Sequence, residues 1–347
     1  MVSVFAPVNI AWIKYMGKVA GQPSNPSLSM TLSKSGTQTR IRRIGDAEKF
    51  EFRFSEQGYV PPPVGLAKVD AFLSDLELFR SALEPAGFPV KVTPGIYQIY
   101  TRNTVPAGTG IATSASGFAA LTLAWAGVLC GADLQRFRDR YSSDPVLRLA
   151  LAAISARGSG SSCRSFGGPF VEWDPDSGIT EWSPPESYTD FILLLETSEK
   201  AVSSSEAHQR VRTSPGFAGR EERVRARLGR VRECWSGSKS DLLPSIVLEE
   251  AIDMHELFHT SQPSFRYFNA ESEAWIRRIR KSWIPGNDQN LPSKNAILTF
   301  DAGANAHLFV PSAEAPLWAA YLAEAHPGLR TVMDGCGKGA RFDDSDF

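Results

Sequence analysis

The sequence predicts a two-domain α+β fold, and three observations carry that prediction. Segments alternating apolar and polar residues dominate the first fifty or so positions, and apolar residues at helical spacing recur after them. A proline-rich break, SPPES at 183–187, separates blocks in which strands and helices follow in a different order. With 347 residues, 42% hydrophobic and 22% charged, the chain has the length for two sizeable cores and the composition of an ordinary soluble protein. The expected domains are residues 1–186 and 187–347.

Val2 to Ile13 is apolar and β-rich and reads as a strand that carries APVNIAWIKYMGK into a turn. Residues 27–43 alternate around a Ser-Gly pair and read as a hairpin; KFEFRF at 49–54 continues the alternation. Val69, Phe72, Leu73, Leu76, Phe79 and Leu83 repeat at helical spacing. PVKVT and IYQIY read as short strands. They lead into NTVPAGTGIATSASGFAA (Asn103 to Ala120), a run of small residues followed by a helix. Small side chains let amide N–H groups point outward together, and the helix adds the positive end of its dipole, so this stretch suits a phosphate. Ser114 lies at the loop-to-helix junction, where a hydroxyl reaches a phosphate oxygen or its Mg²⁺. The lysine of a G-x-x-x-x-G-K-[ST] loop is missing, and G-x-G-x-x-G is not matched.

Another helix at 145–157 ends in the small-residue cluster GSGSSCRSFGG before the strand-like PFVEW. Beyond the break come a strand (FILLLE), the polar TSEKAVSSSEAHQRV, and a helix at 217–235 with Phe217, Val224, Leu228, Val231 and Trp235 on one stripe. Its arginines are interleaved with Glu221, Glu222 and Glu233, which marks a solvated face rather than a nucleic-acid surface. Helical segments at 240–260 and 264–282 precede the strand NAILTF, which delivers Asp301 into a glycine turn.

The net charge of −1 argues against nucleic acid or an anionic membrane as partner. No apolar run is long enough to cross a bilayer, and the N-terminus does not read as a secretory signal. Cys130, Cys163, Cys234 and Cys336 are scattered and read as free thiols in a reducing cytoplasm.

His255-Glu-Leu-Phe-His259 matches H-E-x-x-H, but no third-ligand extension follows. The pair reads better as a helix near a groove or core edge than as a zinc site. Lys14, Tyr15, Lys18, Ser159, Ser161, Arg164 and Asp301 together describe an anion-handling site: cations, glycine-rich amides and one carboxylate at a tight turn. The chemistry that fits is phosphoryl transfer from a nucleotide to a small acidic molecule.

APVNIAWIKYMGK, SNPSLSMTLS, PAGTGIATSASGFAAL, GSGSSCRSFGGPFVEW, AVSSSEAHQRVRTSP and TFDAGANAHLF resemble, in order, the signature blocks of diphosphomevalonate decarboxylases of the GHMP kinase superfamily. The resemblance covers most of the chain, and GSGSSCRSFGGPFVEW is its most specific block. It implies an N-terminal domain like ribosomal protein S5 domain 2, a C-terminal ferredoxin-like domain, and a site in the cleft between them. It also implies ATP-dependent decarboxylation of mevalonate 5-diphosphate with Mg²⁺, in a cytoplasmic homodimer. By this resemblance Asp301 is the catalytic carboxylate, Lys14 its cationic neighbour, Arg164 the grip on the substrate carboxylate, and Asn9 a hydrogen-bonding support. Tyr15, Lys18, Ser159, Ser161 and Ser204 would hold the diphosphate. Pro106, Gly108, Gly110, Ala112, Thr113, Ser114 and Ala115 would hold the nucleotide phosphates, with Ser114 reaching Mg²⁺.

Four departures stand out: Met16 for Trp and Val19 for Arg in KYWGKR, Ala201 for the second lysine of a KK pair, and Ala304 for Pro in DAGPNA. The PTAAGLASSA block also reads PAGTGIATSA. Lost cations near the diphosphate end leave open an enzyme acting on mevalonate 5-phosphate or mevalonate, as a decarboxylase or a 3-kinase. A non-catalytic metabolite-binding protein is the reading from another class. Retention of Arg164, Asp301 and Lys14 favours an active decarboxylase.

Overall fold

The computed structural model describes residues 1–19, 22–105, 113–196, 198, 200–237, 240–285 and 290–343. The first half runs β1 (Val2–Ile13), β2 (Lys18–Val19), β3 (Gln22–Pro23), β4 (Ser27–Gly45), β5 (Phe50–Phe54), α1 (Pro63–Ser74), α2 (Leu76–Leu83), β6 (Gly95–Asn103), α3 (Thr113–Leu129), α4 (Leu134–Ser143), α5 (Pro145–Gly158), β7 (Phe170–Asp174) and β8 (Gly178–Trp182). The second half runs β9 (Tyr188–Leu193), α6 (Ser204–Arg210), α7 (Arg220–Trp235), α8 (Leu243–Thr260), α9 (Ala270–Ser282), β10 (Ile297–Phe300), β11 (Ala306–Pro311), α10 (Ala315–Ala325), β12 (Thr331–Gly335) and β13 (Arg341–Phe342).

A seven-stranded sheet orders β13-β1-β4-β6-β5, with β7 pairing β4 and β8 pairing β7. Its ladders are antiparallel except for β5 beside β6. A four-stranded antiparallel sheet, β10-β11-β9-β12, forms the second layer. β13 crosses back from the C-terminal end to pair with β1, so the first sheet is closed by the last strand.

β1 is buried along its whole length, which explains why its sequence is a continuous apolar run rather than an alternation. α3, apolar all round, packs on β1, β4 and α5 and buries most of its residues. Trp12 of β1 joins the two halves: its ring meets Phe170, Tyr188 and Phe309 edge-on at 4.6, 4.9 and 5.5 Å. Val8 and Ile10 share that core with Val224, Leu228, Ile246, Val247 and Ile297. The β1 end and the second sheet are therefore packed as one body.

Three local expectations are corrected. Residues 27–43 are not a hairpin but part of one long strand, β4. Gly36 serves close approach, since a Cβ there would lie 2.4 Å from the Ala6 carbonyl oxygen. The amides of Ser33, Lys34 and Ser35 turn instead to the Asp334 carboxylate at the edge of the second sheet. The single apolar helical stripe from Val69 to Leu83 is broken at Asp75, whose carboxylate caps α2 by accepting from Leu78 N–H. PVKVT is not a strand. Among the described residues no single helix is long and apolar enough to cross a membrane.

Candidate active site

The two sheets deliver two strand ends to one cleft. β1 ends just before Lys14, and β10 ends just before Asp301. Lys14 Nζ and Asp301 Oδ1 meet at 2.7 Å, with the lysine 2% and the aspartate 23% exposed. Burial pushes the Asp301 carboxyl up, but the adjacent Lys14 cation, His307, the Lys14 hydrogen bond and Arg164 together hold it below the ordinary carboxylate value. Burial pushes Lys14 down, opposed by Asp301 and then Glu250.

The backbone of Lys14 is clamped from below. Its N–H donates to Glu250 Oε1 at 3.0 Å, and its carbonyl accepts from Arg220 Nη2 at 3.2 Å. Arg220 and Glu250 form a fully buried ion pair, joined by Asp253 and Arg227. His255 completes the brace, because its Nε2–H donates to the Asp301 carbonyl at 3.0 Å while its ring stacks on Phe268 at 3.8 Å. His259 is engaged elsewhere, with Arg266. The two imidazoles of the H-E-x-x-H match thus serve separate partners, as a groove-side helix does.

Arg164 lies in the 3₁₀ turn Ser162–Phe166 and is almost completely buried. Its Nε donates to Ser29 Oγ at 2.5 Å and to Asn9 Oδ1 at 3.3 Å, and Nη1 donates to Ser27 Oγ at 2.6 Å. Asn9 is held in turn by donating to Ser165 Oγ at 2.9 Å and the Ser161 carbonyl at 3.2 Å. Neutral oxygens thus aim the guanidinium without neutralising it. Among the described residues Nη2 has no hydrogen-bond acceptor, which leaves that edge for a ligand anion.

One cleft is lined by Asn9, Lys14, Tyr15, Lys18, Ser114, Ser159, Ser161, Arg164, Ser204 and Asp301. The guanidinium and the carboxylate therefore share a cavity rather than lying on unrelated surfaces. Thr113 and Ala115 occupy the first turn of α3 beside Ser114 but do not line the cleft, and Ala115 is buried. Pro106, Gly108, Gly110 and Ala112 lie outside the described residues.

Sequence reasoning missed Lys68, Lys200 and His208, which line the same cleft. Lys200 Nζ donates to Ser204 Oγ at 2.9 Å and to the Ala302 carbonyl at 3.0 Å. Lys68, from α1, lies 5.0 Å from the centre of the Phe118 ring. Lys200 was within reach of the sequence as the retained lysine before Ala201; an isolated lysine in α1 offered no signal. With these the cleft holds five cationic side chains against one carboxylate among the described residues, a field suited to a highly anionic ligand. No group of three or more His, Cys, Asp and Glu side chains among the described residues could hold a metal ion.

Comparisons with known proteins agree over most of the chain. Residues 6–183 match the diphosphomevalonate decarboxylase-like N-terminal domain, and residues 191–341 match the mevalonate 5-diphosphate decarboxylase C-terminal domain. A diphosphomevalonate decarboxylase from Ganoderma lucidum is 30% identical, with 88% of this chain and 77% of that protein aligned. The crystal structure of a mevalonate diphosphate decarboxylase from Legionella pneumophila superposes with a TM-score of 0.78 at 27% identity, covering 95% of this chain and 99% of that one. A structure of MDDEF in complex with MVAPP, AMPPCP and magnesium gives a TM-score of 0.78 at 25% identity, covering 99% of each chain. The architecture is the GHMP kinase fold expected from the sequence. On the strength of both domain matches and the full-length relatives, this chain belongs to the diphosphomevalonate decarboxylase family.

Proposed function

We propose that this chain catalyses ATP-dependent decarboxylation of mevalonate 5-diphosphate to isopentenyl diphosphate, ADP, phosphate and CO₂. The observation that carries the proposal is the Lys14–Asp301 pair, its lysine buried and its carboxylate opening into the cleft that Arg164 also lines. The tertiary 3-hydroxyl of the substrate is a poor leaving group. Its oxygen attacks the γ-phosphorus of ATP, the bond to ADP breaks, and the hydroxyl proton passes to the Asp301 carboxylate or to water. Departure of phosphate from C3 then builds positive charge there. The electrons of the bond to the carboxylate fill it, giving the alkene and CO₂.

The residues divide this work by charge. Asp301, held ionised by Lys14, orients the 3-hydroxyl; a carboxylate below its ordinary pKa is a weak base, so positioning carries more of its effect than proton abstraction. Arg164 holds the substrate carboxylate through its open edge, supported by Asn9. Lys18, Tyr15, Ser159, Ser161 and Ser204 face the diphosphate. Ser114 stands at the N-terminus of α3 and its hydroxyl has no hydrogen-bond partner among the described residues, so it fits a nucleotide phosphate and its Mg²⁺. Bound with ATP, Mg²⁺ would neutralise phosphate charge. Ala115 offers only its backbone amide.

Lys68, beside the retained Lys200, supports the doubly phosphorylated substrate over mevalonate or its 5-phosphate, because it adds a cation to a cleft that lacks those expected at Val19 and Ala201. We place the domain boundary at 186/187, between β8 and β9, and read the protein as a cytoplasmic homodimer. All four cysteines are free thiols, in keeping with that compartment. The test is CO₂ release with ATP on mevalonate, its 5-phosphate and its 5-diphosphate. CO₂ from the 5-diphosphate is expected; phosphorylation without CO₂, or no turnover, refutes the reading.

A further inference from the structure

Asp301, Lys14 and Arg164 lie within electrostatic reach of one another at one end of the cleft, and Tyr15, which Arg164 also reaches, links them to a second end where Lys18 acts on Lys68 and His208. At this second end His208 of α6 stacks on Tyr15, with ring centroids 4.5 Å apart and planes 27° apart. Its Nδ1 accepts a hydrogen bond from Gly17 N–H at 3.0 Å. A backbone amide can only donate, so Nδ1 carries no proton and the ring is the neutral tautomer with hydrogen on Nε2.

Gly17 is itself fixed. Its φ of +96° favours glycine, and a Cβ there would lie 2.3 Å from the Phe217 ring. Burial pushes the His208 imidazolium down to about 4, and Lys18 adds to the effect. Nε2–H is therefore a permanent, neutral donor. It has no acceptor among the described residues, and the ring lines the cleft with Lys18, Ser204 and Ser205. The Tyr15 hydroxyl is a second donor of this kind: it is buried, has no hydrogen-bond partner among the described residues, and keeps its proton because burial pushes its pKa up. Ammonium groups attract any anion, whereas two oriented neutral donors select where its oxygens lie.

We propose that His208 is a specificity-determining residue whose Nε2–H binds the terminal phosphate of the substrate and favours the 5-diphosphate over the 5-phosphate. The proposal rests on the decarboxylase reading above. His208→Phe keeps the stack on Tyr15 and removes the donor; His208→Gln keeps an N–H donor. Steady-state CO₂ release and calorimetric titration with mevalonate 5-diphosphate and with mevalonate 5-phosphate test it, with the wild type in parallel. For His208→Phe, KM and Kd for the 5-diphosphate should rise about tenfold or more, the effect of one hydrogen bond to a charged group. KM for ATP and for the 5-phosphate should move less than about threefold, and His208→Gln should recover most of the loss. A 5-diphosphate KM and Kd unchanged in His208→Phe, or equal losses for both substrates and ATP, overturn the proposal while wild-type turnover keeps the decarboxylase reading. A wild type that neither binds nor turns over the 5-diphosphate overturns both.

Discussion

Replacing Asp301 with asparagine isolates the charge on which the site is built. The substitution preserves size and leaves an oxygen that accepts from Lys14 Nζ, so the 2.7 Å contact survives as an ordinary hydrogen bond. What is lost is the negative charge. Removing one partner of a fully buried ion pair costs about 3–5 kcal/mol. Asp301 is 23% exposed and Lys14 Nζ keeps its bond to the Ala11 carbonyl at 2.7 Å, so about 1–3 kcal/mol is expected here. Turnover should fall much further, by about 10²–10⁴-fold, the usual contribution of a positioned acid–base group. Binding of a non-hydrolysable ATP analogue should be nearly unchanged. The assays are CO₂ release, calorimetric nucleotide titration and urea unfolding. Acidification supplies an independent check. The folded-state pKa of Asp301 lies below the ordinary value, so its charge stabilises the protein above the unfolded-state pKa and ceases to do so as pH falls through the folded one. The stability gap between wild type and Asp301→Asn should therefore be present at neutral pH and close in acid. A variant that keeps near-complete turnover refutes the role given to Asp301.

Arg164→Lys should lower kcat/KM for CO₂ release by about 10²-fold or more, because one ammonium cannot bond Ser27, Ser29 and a carboxylate in the geometry of the guanidinium fork; an unchanged value removes Arg164 from carboxylate binding. Arg220→Met, which leaves Arg227 as the one ion-pair partner of Glu250 among the described residues, should cost about 3 kcal/mol in urea unfolding and also depress kcat by loosening Lys14. His255→Phe should keep the stack on Phe268 but flatten the acid side of the stability curve. Burial pushes His255 down to about 3, so only the unfolded chain takes up this proton between about 6.5 and 3, and this one group lowers wild-type stability there by about 1.4 kcal/mol per pH unit. Thermal unfolding across that range that is parallel for variant and wild type contradicts the assignment.

Much of this was legible in the sequence, for reasons that differ between residues. β1 and α3 were readable because continuous apolar runs leave little choice about burial. The residues of the chemical end were readable because each sits in a distinctive local pattern, as Asp301 does at a strand-to-glycine turn. The bracing groups were hidden. Glu250, Arg220 and His255 touch Lys14 or Asp301 across sequence separations from 46 to 236 residues, and on their own helices they look like ordinary charged or core-edge positions. The supposed hairpin failed for the same reason: the amides of residues 33–35 are satisfied by Asp334, 299 to 301 residues away, which no local rule anticipates.

The same separations show why the site lies where two sheets meet. Lys14 and Asp301 are each the residue just after a strand, one from each sheet, so their contact is also a bond between the halves. A charge pair alone would hold them loosely, because hydrated side chains trade partners at little cost. Here Trp12, two residues before Lys14, is locked against Phe170, Tyr188 and Phe309, while Arg220 and Glu250 hold the Lys14 backbone. The apolar core fixes the distance between the strand ends, and the buried charges fix the direction of the lysine. Asp301 can therefore stay ionised in a cleft where burial acts against its charge. A carboxylate held in this way can orient a hydroxyl beside two polyanions without being displaced by either.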